Sequence, residues 1–152
     1  MKKTLLPVLA LLTAFSIFII ACKKDKTAIN TTMYNISATL SGAQEVPAVT
    51  TGGAGTVTGT YDANSNTLTY NVSWNNLSGN ATLAHFHGPA AAGTNAGVVI
   101  PFTFTAGATS ASGTANLTDA QETDLLNGLW YANVHTAAHG GGEIRGQLTA
   151  TL

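Results

Sequence analysis

The sequence predicts an all-β domain: an antiparallel, Greek-key-like β-sandwich or flattened barrel of about eight strands with one short helix. Three observations carry that prediction. Several short runs alternate apolar and polar residues with a period of two, the pattern of strands buried on one face. Clusters of Gly, Asn, Ser and Pro separate these runs at close intervals. Only one stretch carries helix start and stop signals.

Taken in order, Tyr34 to Leu40 alternates as a half-buried strand, and Ser41 to Gln44 breaks it. Glu45-Val46-Pro47-Ala48-Val49 reads as extended, with Pro47 confining it to an edge or a strand end. Gly52 to Gly55 is a turn, Thr56 to Tyr61 a Thr-rich strand, and Asp62 to Asn66 a hairpin loop. Leu68, Tyr70, Val72 and Trp74 alternate with Thr67, Thr69, Asn71 and Ser73, so this is a central strand with its large side chains in the core. Thr82 to His87 is a strand ended by Gly88-Pro89, and an Ala/Gly-rich loop follows to Gly97. Val98-Val99-Ile100 and Phe102-Thr103-Phe104 read as one strand broken or bent at Pro101, and Ala111 to Leu117 as another. Thr118-Asp119-Ala120-Gln121 has the form of a capping box, and Asn127-Gly128 closes the short helix it starts. Leu129 to His135 places Trp130, Ala132 and Val134 on one face and Tyr131, Asn133 and His135 on the other. Glu143 to Thr151 is the last strand, with Ile144 and Leu148 opposite Glu143, Arg145 and Gln147.

Charge is scarce, at 9% of residues, and unevenly placed. Five of the six basic residues lie at or before Lys26. From residue 27 onward Arg145 alone stands against six acidic side chains, a formal charge of −5. A nucleic-acid surface needs clustered Lys and Arg, so that partner is excluded.

The first residues explain where the basic charge went. Met1-Lys2-Lys3 is a positive n-region, and Leu5 to Ile20 is an apolar core of about 16 residues, short of the ~20 that a spanning helix needs. It ends in Ile19-Ile20-Ala21-Cys22, which resembles the lipobox of bacterial lipoproteins. That resemblance implies diacylglycerol on the Cys22 sulfur, cleavage before Cys22 and acylation of the new amino terminus. Cys22 is the only cysteine, so no intramolecular disulfide exists. Residues 1–21 are therefore expected to be a lipoprotein signal peptide, 22–33 a lipidated polar tether and 34–152 the β domain. The expected location is the bacterial cell envelope, at the outer membrane, with the membrane as a partner through the lipid.

The chemistry-bearing residues are few. His85 and His87 point to the same side of their strand, about 7 Å apart at ~3.3 Å per residue. His135 ends another strand and shares a face with Tyr131 and Asn133. Together His85, His87 and His135 form a candidate site for Cu or Zn with one open position. The plainer reading packs these imidazoles into the fold, hydrogen-bonded to backbone carbonyls or to Glu and Asn side chains. Arg145 is the only guanidinium, and Glu45 and Glu143 are its expected partners in a structural ion pair. No Gly-x-Ser-x-Gly elbow is present, and no catalytic residue is assigned.

Four blocks together resemble the chordin domain (CHRD) family: Gly42-Ala43-Gln44-Glu45-Val46-Pro47, Ala84-His85-Phe86-His87-Gly88-Pro89, Tyr131-Ala132-Asn133-Val134-His135-Thr136 and Gly142-Glu143-Ile144-Arg145-Gly146-Gln147-Leu148. They span about residues 34 to 148 in the family's order. The resemblance implies an all-β domain found in animal chordin and in many bacterial exported proteins, with no enzymatic activity to carry over. Ala48 departs from the second proline that often follows Glu-Val-Pro, and His139-Gly140 replaces a proline-containing turn.

Two functional expectations follow. In the first, the domain is a non-enzymatic interaction or structural module that meets an envelope or extracellular protein or a glycan. In the second, it is a metal-binding or metal-dependent redox protein using the three histidines. They differ in what the histidines do: in the first they are satisfied within the fold and replaceable at about 1–3 kcal/mol each, and in the second they are ligands whose loss abolishes metal stoichiometry.

Overall fold

The computed structural model describes residues 32–152. The segments expected to be the signal peptide and most of the tether, with Cys22, lie outside the described residues. Nine strands form one antiparallel sheet: β1 (Met33–Ser41), β2 (Ala54–Asp62), β3 (Thr67–Asn75), β4 (Ala81–His87), β5 (Val98–Pro101), β6 (Ser110–Asn116), β7 (Tyr131–Thr136), β8 (Ile144–Gln147) and β9 (Thr149–Thr151). A 3₁₀ turn covers Gly42–Gln44, and the one α-helix among the described residues, α1, covers Asp119–Leu126. The strand order is β5-β4-β7-β8-β1-β2-β3-β6, with β9 pairing β1. Only β1-β2-β3 is a simple meander. The chain then crosses from β3 to β4, from β5 to β6 and from β6 to β7, so the sheet curls into a nearly closed, Greek-key-like barrel.

Alternation sets the inside. Ile36, Leu40, Val57, Tyr61, Leu68, Tyr70, Val72 and Trp74 are buried, and the polar residues between them are not. Phe86 packs edge-on against Phe102 and Tyr70, with ring centroids 4.7 and 5.0 Å apart, and Trp130 is fully buried beside it. The helix starts as expected: Thr118 Oγ1 accepts from Gln121 N–H while Gln121 Oε1 accepts from Thr118 N–H. Leu125 anchors it to the core.

Two details differ from the sequence expectation, at Glu45 to Val49 and at Leu148; at Pro101 the strand is broken, one of the two forms expected. Glu45 to Val49 joins no strand, because the 3₁₀ turn at Gly42–Gln44 lifts it off the sheet as a covering loop. Ladder pairing stops at Pro101, which has no N–H; Phe102 N–H still donates to Ala84 O while its ring enters the core. The last strand divides at Leu148, whose N–H turns to Trp130 O before β9 pairs β1.

Candidate metal centre on the outer sheet face

Period-two geometry puts a polar grid on the outside of β4, β7 and β8. Leu83 lies across from His135, His85 from Asn133 and His87 from Tyr131. On the other side Asn133 faces Arg145, and Tyr131 faces Gln147. Such outward positions usually meet water. Here three loops cover them: Gly42 to Gly53, Gly88 to Gly97 and Ala137 to Gly142. His87, Asn133, His135, Glu143 and Arg145 are all under a tenth exposed as a result.

The loops are pinned by the grid itself. His87 Nδ1–H donates to Ala96 O at 3.0 Å, and His135 Nδ1–H donates to Gly140 O at 3.0 Å. Arg145 donates to Thr94 O at 2.7 Å and to Asn95 Oδ1 at 3.0 Å, while Asn95 Nδ2 donates to Val46 O. Ala96 N–H donates to the Tyr131 hydroxyl at 3.1 Å. The strand order sets Tyr131 between His87 and Arg145. Its ring stacks on His87 at 4.9 Å and 3°, and the guanidinium carbon sits 3.4 Å from its centroid.

The carbonyl bonds decide the histidine tautomers. A carbonyl only accepts, so the Nδ1 atoms of His87 and His135 carry the protons and their Nε2 atoms carry lone pairs. Those two Nε2 atoms and His85 Nδ1 are buried without a partner in the fold. One ring nitrogen from each of the three histidines lies within 4.8 Å of the others. The rings lie 5.1 to 6.3 Å apart by centroid. Burial lowers the basicity of each imidazole, and for His85 burial together with His135 and His87 brings the pKa down to about 4. The three are neutral donors near pH 7. Closing on an ion at ~2.0–2.1 Å per Zn–N bond needs nitrogen separations of at most about 3.6 Å, a ring movement on the order of 1 Å.

The expected trio of Glu45, Glu143 and Arg145 is brought to one face but not into one network. Neither carboxylate is among the hydrogen-bond partners of Arg145. Glu143 is fully buried and accepts from Ser78 Oγ, Thr136 Oγ1 and Thr51 Oγ1, all at 2.6 Å, and from Ser78 N–H at 2.7 Å. Burial pushes its pKa up, but these donors outweigh it and hold the carboxyl down at about 2. Glu45 is the opposite case. Burial pushes it up to about 7 against the pull of Arg145, and its one side-chain partner is Asn133 Nδ2 at a long 3.4 Å. Glu45 Oε1 and Asn133 Oδ1 are both buried acceptors with no donor, and a proton on Glu45 supplies one. Gly142 is required beside them: it has φ +127, and a Cβ there would collide with both side chains.

Tyr131 and Asn133 are the site residues that the sequence reading placed on the histidine face without giving them a role. The same alternation that marks His135 marks them, and only the strand order shows what they touch.

The family model for the CHRD domain matches residues 36–148. No curated protein and no solved structure matches the chain.

Proposed function

The chain belongs to the CHRD domain family, and from that premise we propose that it is a metal-binding module. It holds one copper or zinc ion between His85 Nδ1, His87 Nε2 and His135 Nε2, and is displayed at a membrane surface through lipid on Cys22. One observation carries the metal reading: three buried imidazole nitrogens converge, two of them fixed as lone pairs, and no group of the fold meets them. Each such acceptor left unmet costs about 1–3 kcal/mol. A single water satisfies all three only with the His85 proton turned inward onto Nδ1, away from the solvent that its other ring edge meets. A cation meets all three at once. Neutral imidazoles suit copper and zinc, and the second-sphere pattern fits, since two ligands donate their other N–H to backbone carbonyls.

The interaction-module reading has its own support in those two carbonyl bonds, which tie histidines into the fold without any ion. It leaves the three convergent nitrogens unexplained. The membrane part of the proposal rests on the n-region, the apolar core and Ala21-Cys22.

Metal content by mass spectrometry tests the site. The chain from residue 27 onward, purified without a histidine tag, is compared with His85→Ala/His87→Ala. About one equivalent of copper or zinc is expected in the first and none in the folded variant. A metal-free protein after loading leaves the histidines as hydrogen-bonding residues and returns the search to envelope partners. Cys22→Ser should move the full chain from the membrane to the soluble fraction, and unchanged membrane association sinks the lipid anchor.

A further inference from the structure

The three ligand side chains are not equivalent. His87 and His135 are 9% and 8% exposed, and each is fixed by a carbonyl. His85 is half-buried, and its Nδ1 faces the cluster. The opposite edge of its ring, bearing Nε2, is the part of the cluster turned toward the surface. We propose that this edge is an electron port: copper at the centre exchanges single electrons, through His85, with a redox protein that docks there by an uncharged, apolar face. The proposal rests on the metal reading above and specifies what the metal does.

The surroundings of His85 support the docking. Four large hydrophobic side chains stand exposed among the described residues: Met33, Leu83, Val98 and Leu152. Met33 and Leu152 lie at the two ends of the domain. Leu83, 56% exposed, is two residues before His85 on the same face of β4. Val98, 53% exposed, pairs with His87 on β5, and exposed Pro101 pairs with His85 itself. The two mid-chain exposures thus stand beside two of the metal ligands, Leu83 next to His85 along β4 and Val98 across from His87. Isolated exposed apolar residues are ordinary, but a group of them around a half-exposed ligand is an interaction patch. No Asp, Glu, Lys or Arg occurs between Asp62 and Asp119, the stretch that supplies β4, β5 and the loop joining them. A partner is therefore selected here by apolar contact and not by charge.

The centre also suits a one-electron couple. Its three donors are neutral, so Cu(I) leaves one buried positive charge where Cu(II) leaves two. Arg145, stacked on Tyr131 against His87, adds positive potential that favours the reduced ion. In the forward step the reduced partner loses one electron and Cu(II) becomes Cu(I). No bond forms or breaks and no proton is transferred.

The test uses the full chain in detergent, loaded with one equivalent of copper, and reads electron self-exchange between its Cu(I) and Cu(II) forms by NMR line broadening. A second copy of the chain is the probe, so both docking faces carry the patch. Wild type is compared with Leu83→Glu/Val98→Glu and with Thr58→Glu/Thr60→Glu, which adds the same charge on the far side of the barrel. Copper content should be equal in all three. Self-exchange should fall at least tenfold in the first variant and less than twofold in the second. Equal rates in both variants, or an unchanged rate in the first, with copper still bound, overturn the port and leave the metal site standing. Binding of zinc but not copper overturns the port alone, and failure to bind either metal overturns both.

Discussion

The two sides of the barrel wear the same kind of sheet in opposite ways. On β1, β2, β3 and β6 the outward positions form three rows of small polar residues: Thr39–Thr56–Ser73–Ser110, Ser37–Thr58–Asn71–Ser112 and Asn35–Thr60–Thr69–Thr114. All twelve are exposed, none is charged, and no loop crosses them. On β4, β7 and β8 the outward positions hold histidine, asparagine, tyrosine, arginine and glutamine, and three loops bury most of them, leaving Leu83 exposed and His85 and Gln147 half-buried. Hydroxyls facing water keep their hydrogen bonds with solvent and ask nothing of the fold. Buried imidazoles, carboxylates and a guanidinium each need a partner placed for them. The covered face therefore constrains many distant segments at once, and the open face constrains almost none.

The largest effect expected from this contrast is at Glu143. Its carboxylate collects donors from Thr51, Ser78 and Thr136, three segments that meet only in the fold. Glu143→Ala strands those donors and should cost about 3–5 kcal/mol, read by chemical denaturation. A loss below about 1 kcal/mol would mean that the covered face is no more demanding than the open one. The pH dependence has a definite sign. The folded pKa, about 2, lies below the ordinary 4.5, so this contribution is present above pH 4.5 and is lost as pH falls toward 2.

Glu45 sharpens the contrast within the covered face itself. Its folded pKa, about 7, lies above 4.5, so the fold keeps a proton that the unfolded chain releases between those values. Its contribution is complete below pH 4.5 and declines as pH rises through 7. Glu45→Gln cannot ionise and should be more stable than wild type by about 1–3 kcal/mol at pH 8, with no such gain at pH 4. Parallel stability curves for the two proteins would show that Glu45 is ionised without penalty.

The smallest effect belongs to the open face. Thr58→Ala, Asn71→Ala and Ser112→Ala, a row across three strands, should each stay within about 0.5 kcal/mol of wild type and leave metal content unchanged. A loss of about 2 kcal/mol from any of them would erase the distinction between the two faces.

The same contrast explains what could be read from the chain alone. The open face and the core follow from alternation, as Leu68 to Trp74 shows, because each residue's fate depends on its own strand. The shared side of His85 and His87 was legible for that reason. The meeting of His135 with them required the placement of β7 beside β4, which no local pattern encodes. The four donors to Glu143 come from positions 7, 65 and 92 residues away, and so the sequence suggested Arg145 as partner, two residues along the same face. The division of the last strand at Leu148 was hidden because the alternation runs through it; a tertiary bond to Trp130 makes the break.

The register has a further consequence for how the domain is held. Met33 starts β1, and Thr151, beside Asn35, closes β9, so the two ends of the domain leave from one pole of the barrel. Ser41, Arg145, Asn133, His85 and Pro101 form a single cross-strand row, six residues along β1 from Asn35, about 20 Å at ~3.3 Å per residue. An attachment at either terminus, natural or engineered, thus works as a handle at one pole and leaves the histidine row at arm's length from whatever surface grips it.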